Sequence, residues 1–108
     1  MKGFKKEIYQ NIDINKLILY GLFSLLNKKE KCIFENILQE CFLLFPEAFS
    51  FSLILKWPDA RKIDRPLRSL RQKGIIKKDS NNCFSLSKQG EKEVQELVKI
   101  FKQGQLRF

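Results

Sequence analysis

A mostly helical α+β domain carrying one small antiparallel β-hairpin is the fold class this sequence predicts. Three observations predict it. Apolar residues recur at helical spacing in three separate stretches, which Pro46, Gly74 and Asn/Ser-rich turns punctuate. One further stretch, from Pro58 to Gly74, is apolar on one side and arginine-rich on the other. Two short β-type runs flank Asp79-Ser80-Asn81-Asn82, four residues that all favour turns. With 108 residues and 44% hydrophobic content, the chain is long enough to bury a single core without staples.

Residues 1–13 read as a polar lead-in, and the domain proper as 14–103. Asn15 is a plausible N-cap for a helix over 16–27, where Leu17, Ile18, Leu19, Leu22, Phe23, Leu25 and Leu26 lie nearly all around the wheel. A helix that apolar must be covered on most sides, by the core or by a second subunit. From Lys31 to Phe45, Ile33, Phe34, Ile37, Leu38, Cys41, Phe42, Leu44 and Phe45 fall within half the wheel, and Pro46 stops the run. Phe49 to Trp57 alternates in part and predicts an extended stretch, with a short buried helix as the alternative. Trp57 and the phenylalanines are read as core or interface material rather than base-stacking groups.

Between Pro58 and Gly74, Ile63, Leu67 and Leu70 share one side of a helix, whereas Arg61, Arg65, Arg68 and Gln72 form a stripe opposite. Pro66 leaves two starts open. The helix either begins near Asp59 and tolerates a proline, or is shorter, capped by Asp64 with Pro66 in its first turn. Gly74 is a natural C-terminal stop. Strands Ile75 to Lys78 and Cys83 to Leu86 follow as the hairpin. Ser87 then caps a last helix, 88–103, whose Val94, Leu97, Val98 and Phe101 line one face and which Gly104 ends.

The net charge is +9, with a pI near 9.6, which favours a polyanionic partner. Nine basic and two acidic residues lie between Lys56 and Lys78, so +7 of that charge is concentrated there. Four of the five arginines, Arg61, Arg65, Arg68 and Arg71, belong to this segment. A guanidinium fork grips a phosphate or a guanine edge through two bonds, which a lysine does less selectively. The other classes fare poorly. Cys32, Cys41 and Cys83 form no Cys-x-x-Cys pair and histidine is absent, which argues against zinc and against histidine-based acid–base catalysis. No glycine-rich phosphate loop and no activated nucleophile is present, so the reading is not an enzyme and no cofactor. Leu17 to Leu26 is too short for the ~20 residues of a membrane span, no signal-peptide cleavage pattern follows it, and a cytoplasmic protein without membrane contact is expected.

Leu67-Arg68-Ser69-Leu70-Arg71-Gln72-Lys73-Gly74-Ile75-Ile76 and then Phe84-Ser85-Leu86-Ser87-Lys88-Gln89-Gly90 resemble the recognition-helix exit and the Leu-Thr-x-x-Gly wing end of winged helix-turn-helix regulators from bacteria and archaea. Ser87 stands in the threonine position, and the likeness spans about 70 residues. The Pro-Asp opening also resembles winged-helix domains attached to some restriction nucleases. The resemblance implies double-stranded DNA binding, as a transcriptional regulator or as an accessory subunit of a nuclease or defence system. Under it, Arg65, Arg68, Ser69 and Gln72 would face the major groove, while Arg61, Lys62, Lys77 and Lys78 would hold phosphates. The alternative is a protein-interaction module, with Val94, Leu97, Val98 and Phe101 as a homodimer interface; no small-molecule ligand is indicated. One departure stands out: 13 residues separate Phe45 from Asp59, where the family has a turn of about 3 to 4.

Overall fold

The structure, a computed structural model, describes residues 4–51, 54 and 56–106, with side chains described as far as residue 102. Its helices are α1 (Lys6–Tyr9), α2 (Ile14–Asn27), α3 (Phe34–Leu44), α4 (Pro46–Phe49), α5 (Arg61–Gln72) and α6 (Lys88–Leu106), with strands β1 (Ile76–Lys78) and β2 (Phe84–Leu86) between α5 and α6. The fold is therefore α+β, mostly helical, with one two-stranded antiparallel sheet.

The near-uniform apolarity of α2 follows from its place at the centre. Helices α3, α5 and α6 and strand β2 all pack on it, and Leu17, Ile18, Leu19, Leu22 and Leu25 are buried. The core of one chain thus covers most of this helix, with Phe23 half-buried and Leu26 exposed. It starts at Ile14, so Asn15 lies inside it and Asp13 holds the cap position. Helix α3 comes very near: a Cβ built on Gly21 would meet Cys41 Sγ at 2.5 Å. Along the same seam Glu40, buried, accepts a hydrogen bond from the Ser24 hydroxyl and is held by Lys28 Nζ at 2.8 Å. Glu40 is buried while Lys28 is about half exposed, so it is loss of the groups that satisfy the Glu40 carboxylate that would be costly, and these contacts tie α3 to α2.

Within the expected polar lead-in, Phe4, Ile8, Tyr9 and Ile12 pack on the core, while residues 5–7, 10, 11 and 13 are exposed. Phe4 stacks on Phe45 and Phe101, with ring centroids 5.5 and 4.7 Å apart, and Phe4 N–H donates to Leu44 O. Tyr9 is buried, and its hydroxyl accepts the Glu47 N–H. Pro46 both ends α3 and opens α4, where its missing N–H is no loss. The expected extended stretch Phe49 to Trp57 lies partly outside the described residues, at 52, 53 and 55, and the two ends of this excursion come together. Ser50 and Pro58 form an isolated antiparallel bridge, Phe51 N–H donates to Trp57 O at 3.0 Å, and Asp59 N–H to Phe49 O at 2.7 Å.

Helix α5 takes the earlier of the two starts, with Pro66 inside it. Its far end is a Schellman motif: Ile75 N–H reaches Leu70 O, Gly74 N–H reaches Arg71 O, and Gly74 takes φ +74°. The hairpin pairs Ile76 with Leu86, Lys77 with Ser85 and Lys78 with Phe84. Asp79 organises its turn by accepting the N–H groups of Asn81 and Cys83, and Asn82 takes the left-handed conformation asparagine tolerates. Phe84 N–H donates to Cys32 O, tying the hairpin to the segment before α3.

Ser87 caps α6 as expected, accepting the Gly90 N–H, and its own hydroxyl donates to Ile75 O at 2.8 Å. Gly104 does not end α6, which runs on to Leu106; an interior glycine weakens a helix by about 1 kcal/mol without stopping it. The stripe expected as a dimer face packs within the chain. Val94, Leu97 and Phe101 are 0–2% exposed within one chain, and Val98 packs partly buried against the same core, so these residues hold α6 to α2.

Candidate functional site

The feature that stands apart from the core is the outward side of α5. Ile63, Leu67 and Leu70 are 0–3% exposed and seat the helix, as their spacing predicts. One face being fixed, the residues opposite must project to solvent: Arg61, Arg65, Arg68 and Gln72 are all exposed.

These side chains differ in their freedom. Arg61 is folded back on Asp59, whose carboxylate accepts Arg61 Nε and Nη2 at 3.1 Å each and the Arg61 backbone N–H at 3.1 Å. Its guanidinium also lies 5.6 Å over the Phe51 ring. The Arg61 hydrogen bonds hold the Asp59 carboxyl below the usual carboxylate range. Arg61 is thus the start signal of α5, a role its place in the stripe did not suggest. Lys62 is likewise committed, its ammonium donating to Ser50 O at 2.7 Å and clamping the excursion to the helix. Arg68 meets Asp64 at 2.5 Å, but both side chains are more than half exposed and one turn apart. Such a pair is worth only about 0.3–0.5 kcal/mol, so the guanidinium is easily recruited elsewhere. Arg65 and Arg71 make no ion pair or side-chain hydrogen bond among the described residues.

A groove of about 520 Å³ runs between the start of α3, the flank of α5 and the hairpin. Arg68, Arg71 and Lys78 line it above a floor that includes Phe34, Leu67 and Phe84, with Glu35 and Asp64 at its rim. Arg61, Arg65 and Arg68 share the adjoining concave surface. Of the expected site residues, then, the structure brings together Arg65, Arg68 and Lys78, with Gln72 exposed on the same stripe and Ser69 half-buried beside it. It sets Lys77 apart, because successive strand residues alternate: Lys78 lies opposite Phe84 on the core side, and Lys77 opposite Ser85 on the other face. Arg71, Asn81 and Asn82 also line the groove and were not foreseen. Arg71 sits at the edge of the apolar stripe, and its exposure depends on how close the hairpin folds, which the helical wheel does not contain.

The remaining chemistry-bearing groups are quiet. No cluster of three His, Cys, Asp or Glu that could hold a metal is present among the described residues. Burial pushes the Cys41 and Cys32 thiols up, away from the reactive thiolate. No helix among the described residues is long and apolar enough to cross a membrane. No protein-family model, curated protein or solved structure matches the chain.

Proposed function

We propose that the chain binds double-stranded DNA, with α5 as the recognition helix and the hairpin as the wing of a winged helix-turn-helix scaffold, and that it acts as a regulator. The observation carrying this reading is the juxtaposition of Arg68 and Arg71 with Lys78 around one open groove, with Arg65 on the concave surface that adjoins it through Arg68, on a helix whose opposite face is docked. Fixed cations at this density suit a phosphate backbone, and exposed arginine forks beside Gln72 suit base edges. The order of α2, α3, α5 and the hairpin supports the scaffold, as does the tie from Phe84 to Cys32. The excursion at 50–58 is an insertion in it, closed by its own bridge. Burial of Val94, Leu97 and Phe101 weighs against the dimer-module alternative.

The test is a fluorescence-anisotropy titration of duplex DNA, drawn first from a random pool. Arg65→Ala with Arg68→Ala is expected to weaken binding by about 100-fold, on the order of 1–3 kcal/mol per lost contact. Thermal stability should change by less than about 0.5 kcal/mol, because neither arginine braces the core. Unchanged affinity in the double variant would remove the reading.

A further inference from the structure

Trp57 is the one tryptophan of the chain, and it is 54% exposed rather than in the core. It is also not on a loose tip. Its carbonyl accepts the Phe51 N–H, its own N–H donates to Ile54 O at 3.3 Å, and the next residue, Pro58, is bridged to Ser50. Lys62 Nζ on Ser50 O and Asp59 N–H on Phe49 O fasten this small ladder to α5. Trp57 and Phe51 occupy opposed positions beside the Ser50–Pro58 pair, so their side chains share one face of the ladder. The Arg61 guanidinium lies over the Phe51 ring on that face. An indole is thus presented to solvent one cross-strand position from an arginine, with Lys56 adjacent in sequence and Arg65 one helical turn beyond Arg61.

We propose that Trp57 is a stacking platform for an unpaired nucleobase, so that the protein prefers duplex DNA ending in a single-stranded overhang to fully paired duplex. This rests on the DNA-binding reading of α5 and narrows its substrate class. An exposed indole with cations on its flank is the arrangement that holds single strands, since every base offers a π-face and the backbone phosphates would meet Lys56 and Arg65, Arg61 being held by Asp59. The cations near Trp57 in sequence and on α5, Lys56 and Arg65, favour a polyanion over an apolar protein partner.

The single tryptophan makes the experiment direct. Intrinsic emission is followed while the full chain is titrated with a blunt duplex, the same duplex carrying a four-nucleotide overhang, and anionic phosphatidylserine vesicles. Affinities are measured in parallel by anisotropy of labelled DNA. The expected result is quenching by the overhang duplex but not the blunt one, with affinity about 10-fold higher for the overhang. Trp57→Ala should abolish that preference, Trp57→Phe should keep part of it, and both should bind blunt duplex as the parent does. Their thermal melts, expected to be unchanged for so exposed a side chain, verify folding. Equal affinity and equal emission with both duplexes would overturn the stacking proposal and leave duplex binding intact. Absence of binding to either duplex would overturn the reading beneath it. A blue-shifted response to vesicles alone would assign Trp57 to a lipid surface and refute the nucleobase.

Discussion

At the residue scale, the Ser87-Lys88-Gln89-Gly90 motif acquires a physical cause. Ile75 C=O accepts both the backbone N–H and the hydroxyl of Ser87, so the first turn of α6 lies directly on the exit from α5. A Cβ on Gly90 would stand 2.3 Å from that carbonyl oxygen and 3.3 Å from Leu86 Cδ2. Helix propensity alone predicts that Gly90→Ala stabilises the protein by about 1 kcal/mol. The contact reverses the sign, because a backbone carbonyl with two bonds to keep cannot step aside as a side chain can. Gly90→Ala should therefore destabilise by roughly 2–3 kcal/mol in chemical denaturation, in the range of overpacking. A gain in stability would mean that α6 and the α5 exit are farther apart than described.

At the element scale, the start of α5 is the point where fold and candidate site depend on each other. The Arg61 hydrogen bonds, ahead of any other influence, lower the Asp59 pKa, so the folded protein prefers the carboxylate more strongly than the unfolded chain does. The resulting stabilisation is complete above the unfolded value of about 3.9 and is lost as pH falls through the lower folded value. Asp59→Asn keeps an acceptor for the Arg61 backbone N–H but not the charge. Its Tm should accordingly fall less steeply than the parent's on the acid side of pH 4, and lie below it at pH 7. This pairing also marks the limit of what the sequence revealed. The docked face of α5, its stop at Gly74, the hairpin turn opened by Asp79 and the cap at Ser87 were legible because each depends on residues within a few positions of one another. The commitments of Arg61 and Lys62 were not, since the second depends on Ser50, twelve positions away, across an excursion whose path no periodicity encodes. The same applies to Phe4 and Tyr9, which a run of lysines disguised as a polar lead-in. Trp57, read as core or interface material, is exposed, because hydrophobicity predicts burial only where another element is folded over the residue.

At the scale of the whole molecule, what matters for a polyanion is not the +9 of the chain but which cations are both free and facing one way. Sequence position nominates Arg61, Lys62, Lys77 and Lys78 as phosphate holders and leads to a salt slope near −5 for five or six neutralised phosphates. In the fold, Arg61 and Lys62 are engaged internally and Lys77 faces away, which leaves Arg68, Arg71 and Lys78 around the groove and Arg65 on the surface adjoining it. Four neutralised phosphates give a slope of about −3.6. The adjacent lysines provide the sharpest comparison, having the same charge, neighbouring positions and comparable exposure on opposite faces of one strand. In the proposed complex, Lys78→Ala should make the slope shallower by about 0.9, whereas Lys77→Ala should leave it unchanged. Equal effects of the two substitutions would mean that DNA responds to the overall field of the protein rather than to this groove, and the assignment of α5 and the hairpin as one surface would fail.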